Sequence, residues 1–409
     1  MHSRIGTAVV AFSVIAFADC SGSPQSNLTP GNGSLGSSTS SASSYHVLHR
    51  FAGGSDGAEP WAGLINVKGT LYGTTQLGGS SGAGTVYSIS KSGTEKVLYS
   101  FGGSDGAYPV SGLINVKGTL YGTTSGGGSS DDGTVYSIST SGAEKVQHSF
   151  TGAPDGMYPD SGLINVKGTL YGTTDQGGYS GCTPGNGCGT IFSISTSGAE
   201  TVLYRFLGGS YGANPDAGLL NVNGTLYGAT GHGGTSGCED LGCGTVFSIP
   251  TSGGEGAENV LYRFAGSPDG ADPLAGLINV NGTFYGTTNG GGMSNGGIVY
   301  SINAGGGENV LHSFAGGSDG TEPWAGLINV NGTLYGTTGG DNVSTLGTVY
   351  SISTSGQEKV LHNFAGGSDG ADPLADLLYV KTKFYGTTYA GGGSGCSGRG
   401  CGTVFALTP

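Results

Sequence analysis

Seven copies of one repeat unit fill most of this chain, and the repeat constrains what the chain can fold into. Each copy carries a marker Phe before a Gly/Asp turn and a Pro; the markers are Phe51, Phe101, Phe150, Phe206, Phe264, Phe314 and Phe364. Within a unit, four short apolar or alternating runs, named a, b, c and d here, are separated by Gly-rich turns. In the second copy the runs are Gly112–Val116, Thr119–Thr124, Thr134–Ser139 and Glu144–Phe150. Four-stranded units of this length predict a β-propeller.

The two ends of the repeat region are incomplete in complementary ways. The region opens with a lone d run, Tyr45–Phe51, and the chain stops at Pro409 straight after a c run, Thr403–Leu407. A closed ring explains this division, because the N-terminal strand can complete the last blade. We therefore predict an all-β fold, a seven-bladed β-propeller over residues 45–409 with four-stranded blades, closed by the N-terminal strand. We expect a monomer.

The first 44 residues predict export. Arg4 precedes a short apolar stretch, Ile5–Ala18, which is typical of a signal peptide over residues 1–18. Cleavage after Ala18 would release a soluble protein, whereas Cys20 is a candidate for lipidation, although Asp19 departs from the small residue usual before a lipid-carrying cysteine. Residues 19–44 are rich in Ser and Gly and predict a flexible tether. The expected location is extracytoplasmic, secreted or as a cell-surface lipoprotein, with membrane contact only through the lipid anchor.

Six of the seven cysteines form close pairs in the connection between runs b and c. The pairs are Cys182/Cys188, Cys238/Cys243 and Cys396/Cys401. A thiolate metal site is the alternative, but each loop offers two thiols, and only the third and fourth copies are neighbours. In an oxidising compartment, short loop-closing disulfides are the better interpretation.

Negative charge is concentrated on the b–c and d–a connections, which share one face of a propeller; we name it the acidic face. The d–a acids are Asp56, Glu59, Asp105, Asp155, Asp160, Asp216, Asp269, Asp272, Asp319, Glu322, Asp369, Asp372 and Asp376. The b–c acids are Asp131, Asp132, Asp175, Glu239, Asp240 and Asp341. Together they make 19 of the 27 acidic residues, against the single base Arg399. This face excludes nucleic acid and anionic lipid as partners and favours cations or basic partners.

The most regular acid lies in the Asp-Gly turn of six copies. These residues are Asp56, Asp105, Asp155, Asp269, Asp319 and Asp369, and four copies add an acid three residues later: Glu59, Asp272, Glu322 and Asp372. One interpretation is weak Ca²⁺ binding, with a dissociation constant on the order of 10⁻⁴–10⁻³ M. The other is ordinary turn chemistry, in which the Asp side chain accepts backbone N–H bonds. The pattern predicts no dedicated metal site and no cofactor beyond this weak Ca²⁺.

Two tryptophans and several histidines occupy repeat positions held by other residues elsewhere. Trp61 and Trp324 follow the Pro of their d–a loops and are candidate sugar platforms, but their copies are not adjacent, so packing between blades is the favoured interpretation. In run d, His and Tyr exchange at one position, which indicates a packed side chain with a polar tip. His232 lies in a b–c loop without a partner in sequence. The sequence contains no Gly-x-Ser-x-Gly elbow, His-Glu-x-x-His pair or phosphate loop, so we predict no catalytic residue.

The complete unit resembles the GloVer tandem repeat. The resemblance lies in Gly-Leu-Ile-Asn-Val-x-Gly-Thr-Leu-Tyr-Gly-Thr-Thr, then Gly-Gly, then Gly-Thr-Val-Tyr-Ser-Ile, then Val-Leu-x-x-Phe and Gly-Gly-Ser-Asp-Gly-Ala-x-Pro. It covers residues 45–409, seven times over. The Gly-Gly after run b also looks like kelch, but kelch's Trp in the last strand is missing. The resemblance implies bacterial exported proteins with varied anchoring signals and no established activity, and it supplies no catalytic residues.

These observations predict a non-enzymatic extracytoplasmic binding or adhesion module that presents the acidic face to an unknown protein or glycan. The alternative is a carbohydrate-active enzyme or a lectin-like sugar binder that uses the same face.

Overall fold

Every a, b, c and d run forms a β-strand, because β-branched and aromatic residues alternate between Gly-rich turns. The computed structural model describes residues 44–409 except 180, 181, 183–186, 236, 239, 240 and 341–344. The predicted signal peptide, nearly all of the tether, Cys20 and the acids Glu239, Asp240 and Asp341 lie outside the described residues. None of the described residues forms a helix long and apolar enough to cross a membrane.

The strands form seven antiparallel four-stranded sheets, and each sheet is one blade. Blade 1 contains β2 (Ile65–Val67), β3 (Thr70–Thr75), β4 (Thr85–Ile89) and β5 (Glu95–Ser100). Blade 2 contains β6 (Ile114–Val116), β7 (Thr119–Thr124), β8 (Thr134–Ser139) and β9 (Glu144–Ser149). Blade 3 contains β11 (Ile164–Val166), β12 (Thr169–Thr174), β14 (Thr190–Ser195) and β15 (Glu200–Arg205). Blade 4 contains β16 (Leu220–Val222), β17 (Thr225–Thr230), β18 (Thr245–Pro250) and β19 (Asn259–Arg263). Blade 5 contains β21 (Ile278–Val280), β22 (Thr283–Thr288), β24 (Ile298–Ile302) and β25 (Glu308–Ser313). Blade 6 contains β26 (Ile328–Val330), β27 (Thr333–Thr338), β28 (Thr348–Ser353) and β29 (Glu358–Asn363).

Blade 7 is assembled from both ends of the repeat region. Its strands are β30 (Leu378–Val380), β31 (Lys383–Thr388), β32 (Thr403–Thr408) and β1 (Ser44–Arg50), in that order across the sheet. Strand β1 pairs antiparallel with β32, with Tyr45 opposite Leu407 and Val47 opposite Phe405. The predicted closure by the N-terminal strand is therefore confirmed, as is the seven-bladed fold.

Small elements complete the loops. Two-residue strands pair within the acidic face of blades 3 and 5: β10 (Gly156–Met157) with β13 (Gln176–Gly177), and β20 (Gly270–Ala271) with β23 (Gly290–Gly291). Single 3₁₀ turns span Gly54–Asp56, Gly209–Tyr211, Gly317–Asp319 and Cys396–Gly398. Helix is otherwise absent from the described part of the chain.

The hydrophobic core lies between blades. Each marker Phe is almost completely buried and packs edge-to-face on an aromatic residue in strand c of the next blade, with ring centroids 5.0–5.4 Å apart. Phe51, the residue after β1, contacts Tyr87 of blade 1 in this way, so the closing segment also takes part in the packing between blades. Edge-to-face pairs of this kind stabilise by about 0.5–1.5 kcal/mol beyond their buried area. Because strands of one blade pack on the next, the ring is rigid and can hold loops in fixed positions.

Candidate ligand-binding site at the mouth of the propeller

One side chain from each blade converges on the centre of the acidic face. The a strands of neighbouring blades lie against one another, as β2 does with β6 and β30, which places them around the central axis. In each copy the residue after the d–a Pro precedes strand a, and these seven residues line a single cavity. We name them the mouth ring: Trp61, Val110, Asp160, Asp216, Leu274, Trp324 and Leu374. All seven are partly exposed.

Backbone geometry fixes the mouth ring. The residue before each Pro has a φ of 54–58°, in the left-handed region. Its N–H donates to a carbonyl of the preceding blade; Glu59, for example, donates to the Cys401 oxygen at 2.9 Å. The following Pro packs on the Gly that opens strand c of that blade, so closely that a Cβ on Gly402 would lie 2.4 Å from Pro60 Cδ. Only Gly fits such an approach at positive φ, and the contact directs the next residue into the mouth.

The cavity at the mouth has a volume of about 1060 Å³. Its lining is divided between two chemically different walls. Asp160 and Asp216 belong to blades 3 and 4, whereas Trp324, Leu374 and Trp61 belong to blades 6, 7 and 1. In a ring of seven these two groups lie opposite each other. Among the described residues that line the cavity there is no Lys or Arg.

Three carboxylates form the acidic wall. Asp160 and Asp216 are joined by Asp175, the residue after strand b of blade 3, and one oxygen from each lies within 4.8 Å of the other two. Burial raises the pKa of Asp160 to about 7, with a further contribution from the charge of Asp175, while a hydrogen bond from Ser125 acts in the opposite direction. Burial also raises the pKa of Asp216 well above its ordinary value, and the charges of Asp175 and Asp160 add to the effect. Asp160 and Asp216 therefore keep their protons to a higher pH than ordinary aspartic acids do.

Neutral polar groups extend the acidic wall. Asn214 Nδ2 donates to Asp175 Oδ1 at 2.8 Å, and His232 Nδ1 lies 3.1 Å from Asn214 Oδ1. Both Asn214 and His232 line the cavity. His232, which has no partner in sequence, thus belongs to a network that ends on a carboxylate.

Three acceptor atoms of the lining are buried without a hydrogen-bond partner. They are Gln76 Oε1, Asp160 Oδ1 and Gln176 Oε1. A buried acceptor without a partner destabilises by about 1–3 kcal/mol. All three belong to residues of one cavity lining, which makes this lining polar as well as aromatic.

The tryptophans form the opposite wall. Their ring centroids are 6.1 Å apart with the planes at 79°, and Trp61 packs on Tyr389 at 5.3 Å. The Tyr389 hydroxyl donates to Glu59 Oε2 at 2.8 Å, which holds this aromatic cluster in place. Packing between blades, the favoured interpretation, accounts for these contacts, and the two tryptophans touch although their blades are not adjacent. Sugar binding by Trp61 and Trp324 stays a prediction. Blades 1 and 6 are separated only by blade 7, whose mouth-ring residue, Leu374, is smaller.

The six turn carboxylates predicted as candidate cation ligands bond to their own turns. Backbone N–H groups donate to Asp56 (2.7 Å), Asp105 (2.8 Å), Asp155 (3.2 Å), Asp269 (2.9 Å), Asp319 (2.7 Å) and Asp369 (2.8 Å). Of the second acids, Glu59 accepts from Tyr389 and Asp372 forms an ion pair with Arg399 at 3.4 Å. Asp272 and Glu322 also have partners. Turn chemistry accounts for these contacts, and Ca²⁺ binding by these residues stays a prediction.

All three cysteine pairs are disulfides, as predicted. Cys182–Cys188, Cys238–Cys243 and Cys396–Cys401 each join residues whose Cα atoms are 5.2 Å apart. They close b–c loops on the acidic face of blades 3, 4 and 7. The thiolate metal site considered as an alternative for blades 3 and 4 is therefore excluded.

Fold and mouth together define a closed seven-bladed β-propeller with a central cavity that has an acidic wall and an aromatic wall. The Gloeobacter/Verrucomicrobia repeat matches residues 22–184 and 179–343, and the chain belongs to this repeat family. No curated protein matches the chain.

Two solved structures are similar to the chain. Virginiamycin B lyase from Staphylococcus aureus is 14% identical, with a TM-score of 0.55 over 90% of this chain and 99% of that one. A 6-phosphogluconolactonase-like structure from Bacteroides uniformis is 11% identical, with a TM-score of 0.49 over 79% of this chain and 88% of that one. Of these two, the lyase is close enough to show a shared fold, and at this identity it shows the fold alone. The disulfides and the bacterial repeat family indicate an extracytoplasmic protein.

Proposed function

We propose that the protein is an exported carbohydrate-binding module and that the cavity at the mouth holds the saccharide. One observation carries the proposal: a pair of tryptophans faces a wall of carboxylates and amides across a single cavity of about 1060 Å³. The volume is slightly above the range of about 300–1,000 Å³ that is usual for small-molecule sites.

A saccharide satisfies both walls at once. The C–H face of a pyranose ring packs on an indole, and partly exposed aromatic side chains with few rotatable bonds provide contact area at low entropic cost. The hydroxyl groups form hydrogen bonds with the polar side chains of the opposite wall, where Asp160, Gln176 and Asn214 line the cavity. A purely apolar ligand would leave those side chains without hydrogen bonds, and an anionic sugar would be repelled by the carboxylates.

Export and display complete the proposal. The predicted signal peptide and the Ser/Gly-rich stretch of residues 19–44 would place the propeller outside the cytoplasm, secreted or tethered through Cys20. On a tether, a rigid disc with one ligand-binding face serves adhesion to a glycan-coated surface.

A glycosidase is the second candidate, and the acidic wall favours it. Retaining glycosidases use two carboxyl groups about 5–5.5 Å apart, one as acid and one as nucleophile. Asp160, with a pKa of about 7, is half-protonated near neutral pH and has two carboxylate neighbours within 4.8 Å. Hydrolysis of a saccharide would therefore begin with proton donation from Asp160 to the leaving oxygen.

A glycan array with the chain from Ser21 onward, followed by a screen for newly formed reducing ends, tests both candidates. We expect saturable binding without hydrolysis. Trp61→Ala combined with Trp324→Ala should abolish binding, whereas Tyr211→Ala, which removes an exposed aromatic outside the cavity on the same face, should not. Absence of binding to any glycan overturns the proposal, and turnover of a bound glycan replaces it with the glycosidase.

A further inference from the structure

The charge of the mouth is one-sided, and this restricts the ligand further than carbohydrate binding does. Three carboxylates line the acidic wall, and no Lys or Arg is present among the described residues of the lining. Arg399, the base within the b–c and d–a connections, forms an ion pair with Asp372. Arg50, Arg205 and Arg263 donate to backbone carbonyls of d–a loops and do not line the cavity. We infer that the preferred saccharide carries a free amine, that is, an aminosaccharide without N-acetyl groups, whose ammonium group binds among Asp160, Asp175 and Asp216. The inference rests on the proposed function.

The spacing of the carboxylates suits an ammonium group. Oxygens that accept from one tetrahedral ammonium at about 2.8 Å lie about 4.6 Å apart. One oxygen of each of the three carboxylates lies within 4.8 Å of the others, so a single nitrogen can reach all of them. Asp160, Asp175 and Asp216 all line the cavity, so a ligand nitrogen can reach this group of carboxylates from the mouth.

The three carboxylates are not a product of the repeat. Five of the seven mouth-ring positions are apolar or aromatic, and only blades 3 and 4 place Asp there. Asp175 occupies the position after strand b, where the other blades have Gln76, Ser125, Gly231, Asn289, Gly339 and Tyr389. Three carboxylates thus meet at one junction between blades. Gathering like charges in a partly buried site destabilises the empty protein, which indicates a ligand that supplies positive charge.

The tryptophan wall supplies the second contact of the ligand. When the ammonium group binds Asp160, the rest of the chain of sugars extends across the mouth towards Trp61 and Trp324. Free amines without a ring, such as short polyamines, would use the acidic wall alone. Neutral saccharides would use the tryptophans and the amide acceptors alone. An aminosaccharide uses both walls and should bind more tightly than either.

A matched series of β-1,4-linked tetrasaccharides tests the inference, because glucosamine, N-acetylglucosamine and glucose tetramers share the linkage and differ only at C2. Isothermal titration calorimetry with the chain from Ser21 onward should give a dissociation constant about ten-fold or more lower for the glucosamine tetramer. Asp160→Asn with Asp216→Asn should remove this preference, so that the glucosamine tetramer binds no more tightly than the neutral tetramers. Asp131→Asn with Asp132→Asn, which deletes the same charge outside the cavity on the same face, should retain it.

The outcomes separate this inference from the proposed function. Binding of none of the three tetramers overturns the inference, and the proposed function falls with it only if the glycan array is also negative. Equal affinity for all three, lost in the variant with both tryptophans replaced, overturns the free amine while carbohydrate binding stands. Each titration is repeated with 2 mM Ca²⁺ and with a chelator. If the glucose tetramer binds only with Ca²⁺, and this binding disappears in the Asp160/Asp216 variant, the carboxylates hold a metal cation. That result would also overturn the inference. Melting curves of each variant confirm that it is folded.

Discussion

Gly84 shows how one residue type links the blades and shapes the site. It opens strand c of blade 1 at a φ of +97°, and a Cβ there would lie 2.5 Å from Pro109 Cδ and 2.5 Å from the Thr75 carbonyl oxygen. The same Gly–Pro approach recurs at all seven junctions, with corresponding distances of 2.4–2.6 Å. Because Pro109 precedes Val110 of the mouth ring, a side chain at Gly84 would disturb both the junction and the mouth.

The chain contains a matched pair of glycines that separates backbone strain from packing. Gly69 in the a–b turn has nearly the same φ, +95°, but nothing lies within 4 Å of its added Cβ. Gly69→Ala should lower the free energy of unfolding by about 1–2 kcal/mol, the cost of a left-handed conformation. Gly84→Ala should lower it by about 4 kcal/mol or more, because the backbone neighbours cannot move aside. Urea unfolding measures both values, and equal losses would show that the Pro109 contact contributes nothing.

The closing strand β1 is the element on which the ring depends. It pairs with β32 along its length, and its Tyr45 stacks on His362 of blade 6 with ring centroids 3.9 Å apart. Phe51, the residue after β1, packs on Tyr87 of blade 1. Residues 44–51 therefore supply the outer strand of blade 7 and part of the packing of blades 6 and 1. They are distant in sequence from the rest of blade 7.

Removal of β1 should open the ring. A chain that starts at residue 52 would expose the edge of β32 and lose the Phe51 and Tyr45 contacts, and unpaired edges promote aggregation. We expect a clearly lower melting temperature and oligomers in size-exclusion chromatography with light scattering. A chain that starts at Ser44, which lacks only the preceding residues, is the control. If the two chains melt together and both stay monomeric, closure does not stabilise the ring.

The elements were predictable from sequence, whereas the site was not. In blade 2, β7 and β8 span the residues of runs b and c as predicted, and β6 differs from run a by two residues at its start. Alternation and Gly spacing are local signals. The mouth ring depends instead on closure, since it unites residues that are about 50 positions apart. The signal was present, because Trp61, Asp160 and Trp324 share one repeat position. Blades 1 and 6 are not adjacent, and the sequence alone does not show that their tryptophans meet across blade 7.

Around the entire ring, the blades are joined near their outer strands by a repeated polar cluster, which we name the seam cluster. It contains the His or Tyr of one strand d, the turn Asp that follows, and the first Glu of strand d in the next blade; His49, Asp56 and Glu95 are one example. In four seams the His Nε2 lies 3.0–3.4 Å from the Asp carboxylate. The six glutamates are Glu95, Glu144, Glu200, Glu258, Glu308 and Glu358, and each has a buried Oε1 without a hydrogen-bond partner.

The two exceptional seams show that the cluster is structural. Where Tyr211 replaces the turn Asp, the Tyr204 hydroxyl donates directly to Glu258 Oε2 at 2.8 Å. Where Tyr45 replaces the Glu, its ring stacks on His362 and its hydroxyl donates to the Asp369 carbonyl oxygen. Both replacements preserve contact between blades by other means. The seam clusters therefore act together as the polar part of the junctions.

The seam glutamates should make the whole ring more stable in mild acid than in mild base. Burial raises the pKa of all six from an ordinary value of 4.5 to about 7. A carboxyl group with a raised pKa binds more protons in the folded chain, so its contribution to stability is lost as the pH rises from about 4.5 through 7. Burial lowers the pKa of His49 and His362 below 6.5, and these two act in the opposite sense as the pH falls below that value.

We therefore expect the melting temperature to fall as the pH rises from about 5 to 8, because the six glutamates outnumber the two histidines. Glu95→Gln combined with Glu358→Gln removes two of the six titrating groups without removing their volume. The variant should have nearly the melting temperature of the unmodified protein at pH 5 and a higher one at pH 8. Gln stays neutral at both pH values, whereas the buried Glu side chains must ionise at pH 8. Glu255→Gln, at an exposed position outside the seams, controls for the change in net charge. Calorimetry at both pH values measures the melting temperatures. If the seam variant and the unmodified protein have the same melting temperature at pH 5 and at pH 8, the seam glutamates are ionised in the folded ring at both.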